Sequence, residues 1–251
     1  MKKQKFYQRV GNLTEMGKDK LKRFSQLKTF KNVIQPQANY YSSDDPIKGN
    51  WCDIFENKNP IIIELGCGAG EYTIGLSRLF PKKNFIGVDI KGARLWKGAK
   101  IAEDEKLLNI RFLRTKIDFI SKFFAENEID EIWLTFSDPQ PKKPRKRLTS
   151  KLFINRFSVI LKNNGLIHLK TDSDLLYQFT KDEIINHNYY LKKDIKNIYN
   201  HTFKNNTSLK EILYLKTFYE KKWLQKQKSI KYLSFHLGSK KNRYNISKFK
   251  L

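Results

Sequence analysis

The run Ile61-Ile62-Ile63-Glu64-Leu65, followed at once by Gly66-Cys67-Gly68-Ala69-Gly70, constrains this chain more than any other feature. Its branched apolar residues read as a strand buried on both faces, the setting of a parallel sheet between helix layers. Three glycines at alternate positions then allow a tight turn and let another group approach the backbone closely. From Tyr72 to Leu79 the pattern becomes helical, and the alternation repeats along the chain. Further strands are predicted at 84–90, 110–113, 131–135 and 166–170, and helices at 93–107, 119–124, 151–161 and 174–186. Asn163-Asn164-Gly165 reads as a helix C-cap. Two late apolar runs, Leu191 to Tyr199 and Ile212 to Tyr219, read as a terminal pair of strands. Strands alternating with helices give a doubly wound α/β fold with a mostly parallel, seven-stranded sheet.

Residues 1–50 read as a basic N-terminal arm packed on a single domain of residues 51–251. Leu21, Phe24, Leu27 and Phe30 recur at helical spacing there, so one short amphipathic helix is predicted. It ends before Pro36, because proline disfavours helix in the residue ahead of it.

Charge points to the partner. The chain carries 50 Lys+Arg against 25 Asp+Glu, a formal net charge of +25, which attracts nucleic acid or an anionic membrane surface. A lysine-rich codon bias produces the same excess. No apolar run is long enough to span a bilayer, and the opening Met1-Lys2-Lys3-Gln4-Lys5 has no apolar segment behind it, so a signal peptide is not expected. Cys52 and Cys67 are too few for a disulfide framework and lack metal-ligand spacing, and the four histidines are scattered. No metal and no membrane partner are expected, and the expected compartment is the reducing cytoplasm.

Two places carry chemistry. Ile132-Trp133-Leu134 runs into Phe136-Ser137-Asp138-Pro139, and five cations follow: Lys142, Lys143, Arg145, Lys146 and Arg147. A carboxylate at a strand end is where an open α/β sheet keeps its site, and a cation cluster beside it suits a polyanion. Asp138 is therefore the candidate catalytic acid, presented to nucleic acid. The second place is the glycine turn with Asp89 at the end of the next strand, where an acid accepts ribose hydroxyls. Dinucleotide sites read G-x-G-x-x-G. Here Gly66, Gly68 and Gly70 alternate instead, and Glu64 two residues ahead suits an ammonium or sulfonium group. This favours S-adenosyl-L-methionine over a nicotinamide dinucleotide or a turn without ligand. Cys67 reads as a small residue filling the turn, and His168, inside an apolar strand, as core.

With these motifs in order, the chain resembles the bacterial tRNA (guanine-N7-)-methyltransferase family from about Ile61 to Glu220. The most specific part is Ser137 to Lys143 followed by Arg147-Leu148-Thr149; Thr171-Asp172 and Thr217-Phe218-Tyr219-Glu220 complete it. The resemblance implies a Rossmann-like class I methyltransferase fold. It implies methyl transfer from S-adenosyl-L-methionine to N7 of a guanine in tRNA, the variable-loop guanine 46. Glu64, Asp89 and Asp138 match its cofactor-binding acids, and Arg114 or Asp118 its adenine contact. Lys142, Asp172, Thr217 and Glu220 match substrate contacts, and the loop through Lys143, Arg145, Lys146 and Arg147 an RNA contact. Glu220, with Asp172 as helper, is assigned the guanine edge. The family's D-P-W is Asp138-Pro139-Gln140 here, and the loop is shorter. That leaves an aromatic platform for RNA missing or supplied elsewhere, by Trp133 or Trp223. Other readings are a methyltransferase of another RNA and a non-catalytic RNA-binding protein.

Overall fold

A computed structural model of the chain describes residues 21–36, 43–203 and 207–238. The described part of the arm supplies a helix over residues 21–27 (α1) and a short strand, Val33–Ile34 (β1). The main domain follows with α2 (Trp51–Phe55), β2 (Ile61–Leu65), α3 (Glu71–Leu79), β3 (Asn84–Val88), α4 (Gly92–Asp104), β4 (Ile110–Leu113) and β5 (Ile129–Thr135). Then come α5 (Lys151–Ile160), β6 (Leu161–Thr171), α6 (Asp174–Asn186), β7 (Tyr190–Ile195), α7 (Thr207–Tyr214), α8 (Phe218–Gln225) and β8 (Lys231–His236).

The eight strands form one sheet in the order β1-β4-β3-β2-β5-β6-β8-β7, parallel except for β8, which runs antiparallel to both its neighbours. The chain moves outward from β2 through β3 to β4, then returns past β2 to lay down β5. The crevice beyond the carboxyl ends of β2 and β5 is thus the topological switch point, where such sheets bind ligands.

Side-chain alternation splits the sheet into two faces. Ile61, Ile63, Leu65, Ile132, Leu134, Ile167 and Leu169 face a core closed by α2, α5 and α6 through residues such as Trp51, Phe157 and Leu176. Ile62, Phe85 and Trp133 face the other core, closed by α3, α4 and α7 through Ile74, Leu95 and Leu213. A polar residue of β6, His168, joins that second face. His168 stacks on Trp133 with ring centroids 3.9 Å apart and nearly parallel planes, and its Nδ1 meets the Tyr232 hydroxyl at 2.8 Å. His168 and Trp133 are both buried, so Trp133 is no platform for RNA.

The arm adds to the sheet edge: Val33 pairs with Phe112 and Ile34 with Leu113. Leu27 is fully buried, and the Asn32 amide donates to Ala99 O at 2.9 Å. Leu21 stays exposed. Residues 1–20 lie outside the described residues.

Three expectations need correction. Ile212–Tyr219 is not a strand but the end of α7 and the start of α8; the partner of the 190–195 strand is β8. The sheet has eight strands, because β1 joins it. Asn163-Asn164-Gly165 caps no helix: α5 passes directly into β6, and Leu161 lies against Gly165, where an added Cβ would come within 2.5 Å of its side chain. Among the described residues, no helix is long and apolar enough to cross a membrane.

Gly98 shows how tightly the layers approach. A Cβ there would sit 2.5 Å from Ala69 O and 3.0 Å from the Phe112 ring. Alanine ordinarily favours a helix interior over glycine by about 1 kcal/mol. Here the obstacle is backbone of the glycine turn, so overpacking wins. Gly98→Ala is expected to destabilise the protein by about 1–3 kcal/mol, read from denaturant unfolding; an unchanged midpoint would mean that α4 yields freely.

Candidate active site

A cleft of about 900 Å³ opens at the switch point. Its floor is the glycine turn after β2 and the loop after β5; the starts of α4 and α6 and the helix α8 wall it.

Glu64 sits on the floor, almost fully buried. Its Oε2 accepts from Thr73 N at 2.9 Å and from the Thr73 hydroxyl, and its Oε1 from the Thr135 hydroxyl across the switch point. Burial is the larger influence and raises its pKa to about 7, against the lowering effect of those donors. A buried acid held at the edge of ionisation is suited to a cationic ligand. Above it, Gly66 and Gly68 have φ of +80° and +59°, and an added Cβ at either would meet nothing within 4 Å, so the turn offers bare backbone to the cleft. Ser137 Oγ is buried and has no hydrogen-bond partner among the described residues. A buried acid, an open glycine cradle and an unpartnered hydroxyl together fit a nucleoside bearing a positive charge.

Gly70 plays a different part. It faces the core: an added Cβ would lie 2.5 Å from the Phe112 ring, so this glycine serves packing rather than ligand contact. Asp89 ends β3 and shapes the turn, accepting from Gly68 N at 3.0 Å and Lys91 N at 2.7 Å.

Asp138 is exposed and lines the cleft. One residue orients its carboxylate: Gln140 donates its backbone N–H to Oδ1 at 2.9 Å and its side-chain amide to Oδ2 at 2.8 Å. Gln140 has φ +43° and Phe136 φ +50°, so the Ser137-Asp138-Pro139 segment is bracketed by two residues in the sparsely populated left-handed region. Asp172 also lines the cleft, with Lys228 Nζ 3.3 Å from its Oδ2. The adjoining helix is capped by Ser173 instead, which accepts from Leu176 N, so Asp172 is not spent as a cap.

The structure reassigns several expected contacts. Arg114 donates to Gln35 Oε1 at 3.0 Å and lies over the Phe24 ring, stapling the arm down. Asp118 is exposed and pairs with Arg156 at 3.2 Å. Neither lines the cleft; Ile117 does. Of the cation cluster, Lys142, Lys143, Arg145 and Lys146 are exposed, and Lys146 reaches the cleft. Arg147 is buried: its Nε donates to Pro139 O at 2.8 Å and its guanidinium lies 4.4 Å from the Phe179 ring centroid. It buttresses the Asp138 loop and is not available to phosphate.

Glu220 is the largest departure. It is fully buried in the first turn of α8, with Lys170 Nζ 2.8 Å from Oε2 and the Tyr199 hydroxyl 2.8 Å from Oε1. It cannot touch a base. Thr217 borders the cleft, but its hydroxyl accepts from Glu220 N at 3.1 Å as the N-cap of α8. Thr217-x-x-Glu220 is the spacing of a capping box, and that signal in the sequence announces a helix start. Residues that the sequence reading did not assign to the site include Lys91 and Arg94 at the start of α4, Tyr219 on α8 and Lys228.

Lys170 and Glu220 are both fully buried. Removing one charge of such a pair strands the other, at about 3–5 kcal/mol. Lys170→Met and Glu220→Leu are each expected to show that loss in denaturant unfolding, while the double variant recovers most of it. Additive losses would mean that the two charges do not depend on each other.

The profile of a family described as a putative methyltransferase matches residues 58–233. The chain is 46% identical over 224 residues to a tRNA (guanine-N(7)-)-methyltransferase of Bacteroides fragilis (strain YCH46), covering 88% of this chain and 87% of that protein. It is 46% identical over 216 residues to a protein of the same name from Porphyromonas gingivalis (strain ATCC BAA-308 / W83), covering 84% and 87%. The crystal structure of the 16S rRNA methyltransferase KamB shares the fold at 11% identity, with a TM-score of 0.57 over 75% of this chain and 92% of that one. With identity of this extent over more than four fifths of the chain, the chain belongs to the tRNA (guanine-N(7)-)-methyltransferase family.

Proposed function

We propose that this protein methylates N7 of a guanine in tRNA, the variable-loop guanine 46, in the cytoplasm. The observation that carries this reading is the cleft itself. Buried Glu64 and exposed Asp138 share its floor, and the basic side chains Lys91, Arg94, Lys146 and Lys228 border it. S-adenosyl-L-methionine, when bound, supplies the methyl group. Glu64, Gly66, Gly68 and Ser137 hold it, and each Asp89 oxygen keeps a second lone pair for a ribose hydroxyl.

Guanine N7 has a free lone pair at neutral pH, so no base is needed to unmask it. The protein's work is alignment and charge. Positive charge grows on the guanine ring as N7 takes the methyl group, and the Asp138 carboxylate, which pairs with no cation among the described residues, faces it. Asp172, rather than Glu220, is the acid placed to accept the N1–H and N2–H of guanine. Lys142, Lys143, Arg145 and Lys146 lie on the exposed loop beside Asp138, where phosphates would meet them.

Incubation with labelled S-adenosyl-L-methionine and unmodified tRNA, followed by mapping of the methylated base, tests the reading. Label at guanine 46 supports it; label at another guanine moves the position, and no label on tRNA removes it. Asp138→Asn preserves shape and removes charge. Its single-turnover rate is expected to fall about 100-fold or more, with both ligands still bound.

Glu64 predicts a pH dependence. Its folded-state pKa, about 7, lies above its ordinary 4.5. Between those values the folded protein holds a proton that the unfolded chain has released, so ligand-free stability is expected to fall as pH rises through that window. A cationic ligand favours the ionised form. Affinity for S-adenosyl-L-methionine is therefore expected to rise with pH up to about 7, by at most about ten-fold per unit. Calorimetry across this range checks it, and Glu64→Gln should flatten the profile.

A further inference from the structure

Helix α8 carries its polar and aromatic residues in an order that the methyl-transfer reading leaves unused. At about 100° per residue, Phe218, Lys222, Lys226, Tyr219 and Trp223 fall in that order around one face. The opposite side turns Glu220 inward to Lys170. Phe218 and Tyr219 are 64% and 46% exposed, an unusual placement for large rings. Trp223, one turn beyond Tyr219, is half-buried, and both line the cleft. Lysines crowd the indole: the Nζ atoms of Lys222, Lys226 and Lys228 lie 5.9, 5.3 and 4.4 Å from its ring centroid.

The face is held rigidly. Phe218 N donates to Glu71 Oε2 at 2.6 Å, Thr217 caps the helix, and Glu220 is locked to Lys170. The helix that carries the rings is therefore fixed before binding, which lowers the ordering cost.

We propose that this face of α8 is a stacking surface for unpaired nucleotides that flank the target base, with Tyr219 and Trp223 receiving base faces and Lys222 and Lys226 the adjoining phosphates. The inference rests on RNA being the substrate. Its chemistry follows from the alternation itself. Stacking on an aromatic ring tolerates any base, because every base has a π-face. Cations one turn apart from the rings match the phosphates that every nucleotide carries. The surface is continuous with the cleft, so a strand leaving the site passes over it. In this chain it supplies the aromatic contact that Gln140 does not.

The test is binding of a fluorescein-labelled short oligouridylate, and of unmodified tRNA, by anisotropy at several salt concentrations. Trp223→Ala is expected to weaken both about ten-fold or more, with the log–log salt slope unchanged and S-adenosyl-L-methionine affinity retained. Trp223→Phe should keep most of the affinity. The double variant Lys222→Gln/Lys226→Gln should instead lower the slope, by about 0.7 per lost phosphate contact. Wild-type affinity in both Trp223→Ala and Tyr219→Ala, each melting at the wild-type temperature, would overturn the proposal. So would equal losses in Trp223→Ala and Trp223→Phe, because a ring of either size stacks. If the wild-type protein methylates no tRNA but the oligouridylate still depends on Trp223, the methylation reading falls and the stacking surface stands.

Discussion

The Lys170 ammonium donates its three protons to Leu213 O, Leu215 O and the Glu220 carboxylate, at 2.7, 2.8 and 2.8 Å. It is fully buried. Burying a lysine costs several kcal/mol, and only complete satisfaction of its donors offsets that. Burial still pulls its pKa down to about 8, with Glu220 opposing. The geometric consequence is larger than the energetic one. Lys170 is the penultimate residue of β6, so its three bonds tie the α7–α8 segment to that strand. Its Nζ also lies 5.0 Å from the Tyr72 ring centroid and 5.9 Å from that of Phe136. Phe136 N in turn donates to Lys170 O at 2.8 Å. The Asp138 loop, the α3 layer and the α8 wall therefore share one anchor.

The charge layout answers a particular problem. The chain as a whole is strongly cationic, yet the cleft holds the carboxylates Glu64, Asp138 and Asp172 among its cations. Excess positive charge gathers a polyanion, while in the proposed reaction the acids meet groups that carry or acquire positive charge at the reacting centre. These roles stay separate because the acids are fixed locally. Thr73 and Thr135 hold Glu64, and Gln140 holds both oxygens of Asp138. Arg147, spent on Pro139 O and the Phe179 ring, shows that a member of a basic cluster can serve the loop rather than the substrate.

Much of the fold was legible in local pattern. The run from Ile61 to Leu65 and the apolar runs within β3 to β6 are short and largely buried, and such runs have few alternatives to a parallel strand. The C-terminal third was misread where local signals compete. Ile212 to Leu215 is apolar enough for a strand, but Leu209, Ile212 and Leu213 recur at helical spacing, and Thr217-x-x-Glu220 opens a second helix. Lys231–His236 interleaves lysine, serine and histidine with Tyr232, Leu233 and Phe235, so no uninterrupted apolar run marks it as a strand. All six are buried, since β6 and β7 flank the strand and supply partners.

The sequence by itself determined the parallel α/β architecture, the glycine turn and the order of the motifs, because backbone freedom and side-chain periodicity are properties of neighbouring residues. Tertiary structure alone decided which side chains face the cleft. Gly70 and Gly66 differ by what stands behind them, Phe112 in one case and open space in the other. Arg147 and Lys146 are adjacent, yet one is buried against Phe179 and the other is exposed beside the cleft. Glu220 resembles a substrate-reading acid in the sequence, but Lys170, fifty residues earlier, claims its carboxylate. A charge takes the partner that space brings within hydrogen-bonding distance, and chain order does not record that distance.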